Sequence, residues 1–266
     1  MTNPPLPFAA LAHTYSIVAY DRDAEQLGVA VQSHYFGVGR VVPWIEAGVG
    51  AVATQSFVEP SYGPLGLTLM RAGKSATQAL DGLLAADPLR EQRQVAMIDL
   101  RGNVAVHTGT RCIAAAGHRV GPGFSVQANL MLSDTVWNAM AEAYQANDGD
   151  LAERMLAALE AAEGEGGDIR GRQSAALLVV NAHPTGQPWR DRVFDLRVED
   201  HWAPLQELRR LVTVCRAYYT WNDAEALLRG DEIDETVIRE AMVRFAQAPN
   251  QLPHNPEGAF WFACTL

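Results

Sequence analysis

The chain has 266 residues, 48% of them hydrophobic and 20% charged, which is typical of a globular protein with one large domain or one domain and a small appendage. Its formal net charge of -10 argues against nucleic acid and anionic membranes as partners, because phosphate groups bind to basic surfaces. Three widely spaced cysteines suit a reducing cytoplasm and argue against a disulfide framework or a structural zinc site. We expect no signal peptide and no span of the roughly 20 apolar residues that cross a bilayer.

Apolar runs and turn residues predict the elements in chain order. Strands are expected over 14–21, 27–33, 49–55, 94–99, 103–108, 174–180 and 193–198. A short helix is expected to end at Gly73, and a second to begin after the cap Ser75 and stop before Pro88. Further helices are expected over 134–162, interrupted by N-D-G-D, and over 203–247, with caps at Asn222/Asp223 and at Asp234.

The order of strands, helices, strands and helices predicts an α+β protein in which two hairpin-rich sheets lie between helix layers. We expect an N-terminal arm or propeptide over 1–13, a main domain over 14–215, and a helical C-terminal extension over 216–266. The chain ends on the apolar run E-G-A-F-W-F-A-C-T-L, which indicates a final strand buried in a sheet or in a subunit interface. We therefore expect a homo-oligomer, with a dimer as the simplest form.

No phosphate-binding loop, zinc-protease motif or G-x-S-x-G sequence is present, so we expect no cofactor. His107, Cys112 and His118 lie within twelve residues, but their spacing matches no standard metal site. A polar loop, G-G-D-I-R-G-R-Q-S, runs from Gly166 to Ser174 and enters a strand. Such loops often carry chemistry, and the alternative is a turn held by an Asp–Arg ion pair.

Seven blocks between about residue 13 and about residue 215 carry a further signal: T-Y-S-I-V-A-Y-D, L-G-V-A-V-Q-S-H-Y-F-G-V-G, V-V-P-W-I-E-A-G-V-G-A-V-A-T-Q-S, P-S-Y-G-P-L-G-L, A-G-H-R-V-G-P-G-F-S-V-Q-A-N-L-M, G-D-I-R-G-R-Q-S-A-A-L-L-V-V and D-L-R-V-E-D-H-W-A-P-L-Q-E-L. In this order they resemble the DUF1028 family, which is grouped with the N-terminal nucleophile (Ntn) hydrolases. The resemblance implies a four-layer αββα sandwich with two antiparallel sheets.

The resemblance also implies a mechanism. In Ntn hydrolases the first residue of the mature chain attacks an amide carbonyl, and its own α-amino group acts as the base. Here the matching residue is Thr14, but His13 and the arm precede it, so its nitrogen is an amide. Three alternatives stay open: the arm is cleaved between His13 and Thr14, translation begins later than Met1, or the fold is kept without the chemistry.

An active site would need further groups to stabilise the oxyanion and tune the amine. The candidates around Thr14 are Ser33, His34, Gln55, Asn129, Asp168 and Ser174. We favour a cytoplasmic hydrolase that cleaves a small amide, lactam or related C–N bond. The alternatives are a non-catalytic small-molecule binding or assembly protein on the same fold, and a metal-dependent hydrolase that uses His107, Cys112 or His118.

Overall fold

The computed structural model describes residues 11–228 and 234–247. Within them the strands are β1 (Leu11–Ala12), β2 (Thr14–Asp21), β3 (Gln26–Ser33), β4 (Pro43–Glu46), β5 (Gly50–Phe57), β6 (Arg93–Asp99), β7 (Val104–Thr108), β8 (Gly117–Gly121), β9 (Phe124–Ala128), β10 (Ser174–Asn181) and β11 (Arg192–Val198). The helices are α1 (Tyr62–Arg71), α2 (Ala76–Ala86), α3 (Val136–Ala146), α4 (Leu151–Gly164), α5 (Pro204–Leu227) and α6 (Glu235–Gln247).

The strands form two antiparallel sheets. The five-stranded sheet has the order β1-β5-β6-β7, with β4 pairing along the first half of β5. The six-stranded sheet has the order β11-β10-β3-β2-β9-β8. The chain passes from one sheet to the other at His13, because β1 belongs to the first sheet and β2 to the second. The two sheets therefore meet at the residue that precedes Thr14.

Alternating side chains explain how the sheets pack. Val18 and Val29 of the six-stranded sheet share one apolar cluster with Ala53 and Ile98 of the five-stranded sheet. On the other face of the five-stranded sheet, side chains from β5 and β6 pack with α1 and α2. Helices α3 and α4 contact the six-stranded sheet, where Gly28 leaves room for Met155. The chain is thus an α+β protein with helices against both sheets, as the order of elements predicts.

Most of the predicted strands and helices are confirmed to within two or three residues, and four strands are additional: β1, β4, β8 and β9. The expected cap at Asn222/Asp223 is wrong, because α5 continues to Leu227. The cap at Asp234 is confirmed, since its Oδ1 accepts a hydrogen bond of 2.8 Å from the nitrogen of Val237. Both residues of the expected cap in α5 are exposed, so the helix can carry them at little cost.

The chain divides into two compact units, Met1–Leu208 and Arg209–Leu266, and the division falls within α5. In the second unit, Trp221 packs against Phe245 with the ring centroids 4.9 Å apart. The predicted apolar strand at the chain end and the first ten residues of the arm lie outside the described residues. No helix among the described residues is long and apolar enough to span a bilayer. The expected homo-oligomer stays a prediction.

The N-terminus of α2 offers a test of local stability. Ser75 accepts a hydrogen bond of 3.2 Å from the nitrogen of Gln78, whose side chain bonds back to the nitrogen of Ser75. Ser75→Ala should lower the free energy of unfolding by about 1 kcal/mol, measured by urea denaturation, because it leaves a helix N–H without its partner. The exposed Thr77→Ala in the same helix is the control and should not destabilise the protein.

Candidate functional site

Thr14 begins β2, opposite Ser33 of β3, and its side chain is fully buried. Its hydroxyl donates a hydrogen bond of 2.7 Å to the carbonyl oxygen of Ala12. Ala12 itself is held in β1, where it pairs with Ser56 of β5. In this uncut chain the nitrogen of Thr14 is a peptide amide, and the arm covers its hydroxyl.

Two donors converge on the carbonyl oxygen of His13, the residue whose peptide bond to Thr14 is in question. The hydroxyl of Ser33 lies 2.6 Å from this oxygen, and Nη2 of Arg170 lies 2.9 Å from it. A hydroxyl and a guanidinium on one carbonyl oxygen polarise the C=O bond. They would bind an oxyanion there more tightly than the neutral carbonyl.

Arg170 is positioned by a buried carboxylate. Nε and Nη2 of Arg170 donate to the two oxygens of Asp168 at 3.0 and 2.7 Å, and the side chain of Asp168 is fully buried. The Asp168 oxygens also accept from the backbone nitrogens of Arg170 and His34. The loop can fold back in this way because Gly171 adopts a φ of +106°, which is strained for any residue with a side chain. The ion pair therefore aims the guanidinium at His13.

A buried network of amide side chains lies under the same peptide. Gln55 in β5 donates at 2.7 Å to Oε1 of Gln94 in β6 and at 3.2 Å to the carbonyl oxygen of Thr14, and its own Oε1 accepts from Ser16 at 2.6 Å. Gln94 in turn donates to the carbonyl oxygen of Ala128 in β9 at 2.9 Å. These bonds join the two sheets beside Thr14 and satisfy polar groups that burial would otherwise penalise.

The side chain of Asn129 connects this network to His13. Its Nδ2 donates to Oε1 of Gln94 at 2.9 Å, which leaves Oδ1 facing Nδ1 of His13 at 2.7 Å. Because Oδ1 can only accept, Nδ1 of His13 carries the proton. Burial lowers the pKa of His13 below its ordinary value, so the ring is neutral at pH 7. Its other nitrogen, Nε2, is buried and has no hydrogen-bond partner among the described residues.

Comparison with known proteins gives the family. The model of a family of unknown function, DUF1028, matches residues 14–208. The chain belongs to the DUF1028 family. The crystal structure of protein SPO2555 from Silicibacter pomeroyi, also assigned to DUF1028, is 31% identical to this chain, and the match covers 75% of this chain and 88% of that one with a TM-score of 0.67. A search among curated proteins found no match. The family match in this DUF1028 protein begins at Thr14 itself.

Five of the seven residues predicted for the site lie around the His13–Thr14 bond: Thr14, Ser33, Gln55, Asn129 and Asp168. His34 follows β3 and is exposed, and only its backbone nitrogen bonds to the site, through Asp168. Ser174 is buried, but it donates to the carbonyl oxygen of Tyr35 and accepts from the nitrogen of Val38, so it holds the turn after β3. The catalytic role of each residue stays a prediction.

The sequence places Arg170 in a polar loop with no visible link to Thr14, and the predicted site lacks Gln94 and the side chain of His13. A signal for Gln94 was available, since a glutamine stands in the apolar strand R-Q-V-A-M-I-D, and Gln127 is a similar case in β9. Polar residues in strands that are buried throughout indicate an internal network. No local signal showed where Arg170 points, because its target lies 157 residues away.

The three residues considered for a metal are engaged separately. Nε2 of His107 bonds to the carbonyl oxygen of Arg90, Nδ1 of His118 to the hydroxyl of Thr108, and the Cys112 thiol to the carbonyl oxygen of Arg93. Across residues 11–228 and 234–247, no group of three or more His, Cys, Asp or Glu side chains is arranged to hold a metal ion.

A second polar contact links the strand of Thr14 to a cavity. The hydroxyl of the fully buried Tyr15 donates to Oε2 of Glu163 at 2.6 Å, and burial with the adjacent carboxylate raises the pKa of Tyr15 well above its ordinary value. Glu163 and Arg172 line a cavity of about 390 Å³ next to the start of α5. Thr14 is not among the residues that line this cavity.

The amide network should be stabilising. Gln94→Leu would remove the acceptor that the Gln55 and Asn129 amides share and leave them the longer bonds to the carbonyl oxygen of Thr14, at 3.2 and 3.4 Å. A buried group that loses its hydrogen bond costs about 1–3 kcal/mol. We therefore expect the free energy of unfolding to fall by at least about 2 kcal/mol in urea denaturation. Gln145→Leu, on the exposed side of α3, makes the same chemical change and should stay within about 0.5 kcal/mol of the parent.

The lowered pKa of His13 predicts a pH dependence in protein that retains residues 1–13. The unfolded chain binds a proton at His13 below pH ~6.5, whereas the folded chain resists it, so the free energy of unfolding should fall as the pH drops below this value. His13→Gln should remove part of this fall, measured by urea denaturation between pH 7.5 and 5. An identical pH dependence in both chains would contradict the neutral, buried ring.

Proposed function

We propose that this protein is an amide-cleaving hydrolase with Thr14 as nucleophile, and that it forms its active state by cutting its own His13–Thr14 peptide bond. The proposal is carried by one observation, the hydrogen bonds from Ser33 and Arg170 to the carbonyl oxygen of His13. A hydroxyl and a cation already held on this oxygen would stabilise the negative charge that develops there if the peptide carbon is attacked. The helices packed outside two facing sheets, and the resemblance to Ntn hydrolases with their four-layer sandwich, support the proposal.

The cut is an acyl shift followed by hydrolysis. Oγ1 of Thr14 adds to the carbonyl carbon of His13, and the negative charge develops on the oxygen held by Ser33 and Arg170. The C–N bond then breaks, the hydroxyl proton ends on the nitrogen of Thr14, and the acyl group of the arm is left as an ester on Oγ1. Water hydrolyses this ester, which releases the arm with a carboxylate at His13 and restores the hydroxyl of Thr14.

The cut creates the catalytic base. The freed α-amino group of Thr14 has an ordinary pKa near ~8, so a useful fraction is neutral at pH 7 and can take the hydroxyl proton. A substrate amide would then be attacked by the same oxygen, with its carbonyl oxygen on the same two donors. The amine of the substrate leaves with the proton, and water hydrolyses the acyl ester on Thr14. The proposed substrates are small amides, lactams or related C–N compounds.

Intact-mass spectrometry of the purified full chain tests the cut. We expect fragments 1–13 and 14–266 from the parent chain, and an uncut chain from Thr14→Ala. Ser33→Ala and Arg170→Lys should each slow the cut by about 10²–10³-fold, because each weakens one oxyanion donor. Arg172→Lys is the matched control: Arg172 lies in the same loop but pairs with Glu163 at 3.4 Å, so its cut should keep the parental rate.

Circular dichroism of each variant separates a lost donor from a lost fold. A parent chain that remains uncut over a range of pH would contradict the proposal. So would a cut that persists in Thr14→Ala.

Turnover is tested on the self-cleaved chain with a panel of small amides and lactams, followed by release of the amine. Thr14→Ser, which keeps a hydroxyl, should retain turnover, and Thr14→Ala should lose it. Turnover by Thr14→Ala at the parental rate would assign the reaction to another residue.

The alternative of a non-catalytic binding protein is favoured by one observation: in the uncut chain the hydroxyl of Thr14 is enclosed and bonded to Ala12. Under this alternative the arm stays attached and ligands occupy a cavity such as the one lined by Glu163 and Arg172. Thermal-shift screening would then find a compound that stabilises the uncut chain and is recovered unchanged, and Arg172→Ala would weaken that stabilisation.

A further inference from the structure

The side chain of His13 occupies a pocket that is built by other parts of the fold. Oδ1 of Asn129 accepts from Nδ1 at 2.7 Å, and the ring of Phe57 meets the imidazole edge-on, with the centroids 5.8 Å apart and the planes at 88°. The ring is 1% exposed. We call these surroundings, Asn129 Oδ1 and the Phe57 ring, the acyl pocket, because they hold the side chain on the acyl side of the His13–Thr14 bond.

The hydrogen bonding of Asn129 determines what the pocket can accept. Its Nδ2 is engaged with Gln94, so only a carbonyl oxygen faces the pocket, and it requires a donor. The pocket is buried and lowers the pKa of the imidazole, so a neutral donor is preferred to a cation. A carboxylate would face the Asn129 oxygen without any hydrogen bond. The selected group is therefore a neutral N–H bonded to the γ carbon, as in histidine and in asparagine.

The backbone of the arm is held as well. Leu11 and Ala12 pair with Phe57 and Ser56 at the end of β5, so the chain on the acyl side lies extended along a strand. An extended peptide can gain main-chain hydrogen bonds at this place whatever its side chains are. Selection among peptides would therefore come from the acyl pocket.

We propose that the acyl pocket is the specificity site of the mature enzyme, and that its substrates are peptide-like amides whose acyl residue is histidine or, less well, asparagine. This inference rests on the proposed function. The ester formed from the arm and the ester formed from a substrate join the same oxygen, Oγ1 of Thr14, to an acyl carbon whose oxygen lies on Ser33 and Arg170. The side chain next to that carbon must then enter the same pocket in both cases. The arm is thus the protein's first substrate.

The test uses the full chain after self-cleavage and the fluorogenic amides Leu-Ala-Xaa-aminomethylcoumarin, with His, Asn, Ala, Asp or Lys at Xaa. We expect kcat/KM for His to exceed that for Ala by at least about tenfold, as expected for one hydrogen bond in a buried site. Asn should lie between His and Ala, and Asp and Lys should be cleaved more slowly than Ala. Equal kcat/KM for His and Ala would overturn the specificity site while leaving the hydrolase standing.

Variants separate specificity from loss of structure. Asn129→Ser should bring the His/Ala ratio of kcat/KM close to one, because the acceptor for the substrate is withdrawn. Gln127→Ser alters the same buried network through Ser16 and Ser125, and Gln127 does not contact the acyl pocket. This variant should change kcat/KM for the His and Ala substrates by the same factor, so that their ratio stays at the parental value. An unchanged ratio in Asn129→Ser would contradict the assignment.

If no amide is turned over, a binding measurement tests the acyl pocket instead. The peptide acids Leu-Ala-His and Leu-Ala-Ala are titrated into the self-cleaved chain by calorimetry. If the histidine peptide binds about tenfold more tightly, the acyl pocket is supported even though the hydrolase proposal has failed. If the two peptides bind equally, the acyl pocket is overturned as the specificity site. A chain that never cuts itself overturns both proposals.

Discussion

The ion pair between Asp168 and Arg170 is the interaction on which the candidate site depends. A buried carboxylate is costly to desolvate, and here it is offset by a two-pronged contact with a guanidinium and by two backbone N–H groups. The pair holds the guanidinium of Arg170 within its loop, where Nη2 also donates to the carbonyl oxygen of His13. Only when Arg170 is fixed does the carbonyl of His13 have a cation at hydrogen-bond distance. Loss of the carboxylate would therefore affect His13, to which it makes no hydrogen bond, through Arg170.

Polar groups replace apolar ones where the two sheets meet next to Thr14. Farther along the same interface, Val18, Val29 and Ile98 form an ordinary apolar cluster. Apolar contacts are non-directional, whereas the amides of Gln55 and Gln94 bond only at set angles and distances. The polar end of the interface thus sets the position of one sheet relative to the other, and the apolar end supplies most of the burial. The side-chain amides of Gln55, Gln94 and Asn129 all have hydrogen-bond partners, which is the condition for such a network to be stabilising, whereas Nε2 of His13 at its edge has none among the described residues.

The fold was largely predictable from the sequence because most of its strands are long enough to show apolar runs or alternating apolar and polar residues. The short strands β1 and β4 were not, since two and four residues carry no pattern. Helix α5 continues through the expected cap at Asn222/Asp223, because the residues before and after these two, Trp221 and Ala224, are buried. For the site, the position of Thr14 followed from the resemblance and the strand pattern. His34 follows the end of β3 and Ser174 begins β10, but no sequence rule says which way a side chain at a strand end turns.

The contact of the Thr14 hydroxyl with the arm has a kinetic consequence. Nucleophile and carbonyl belong to one chain, so the cut as proposed would be first-order and independent of protein concentration, with the reacting groups already brought together. Each molecule would begin inactive and mature on a fixed timescale after folding, without a protease or an activator. The delay between synthesis and activity would then be a property of the fold itself, adjustable by any substitution that shifts Arg170 relative to His13.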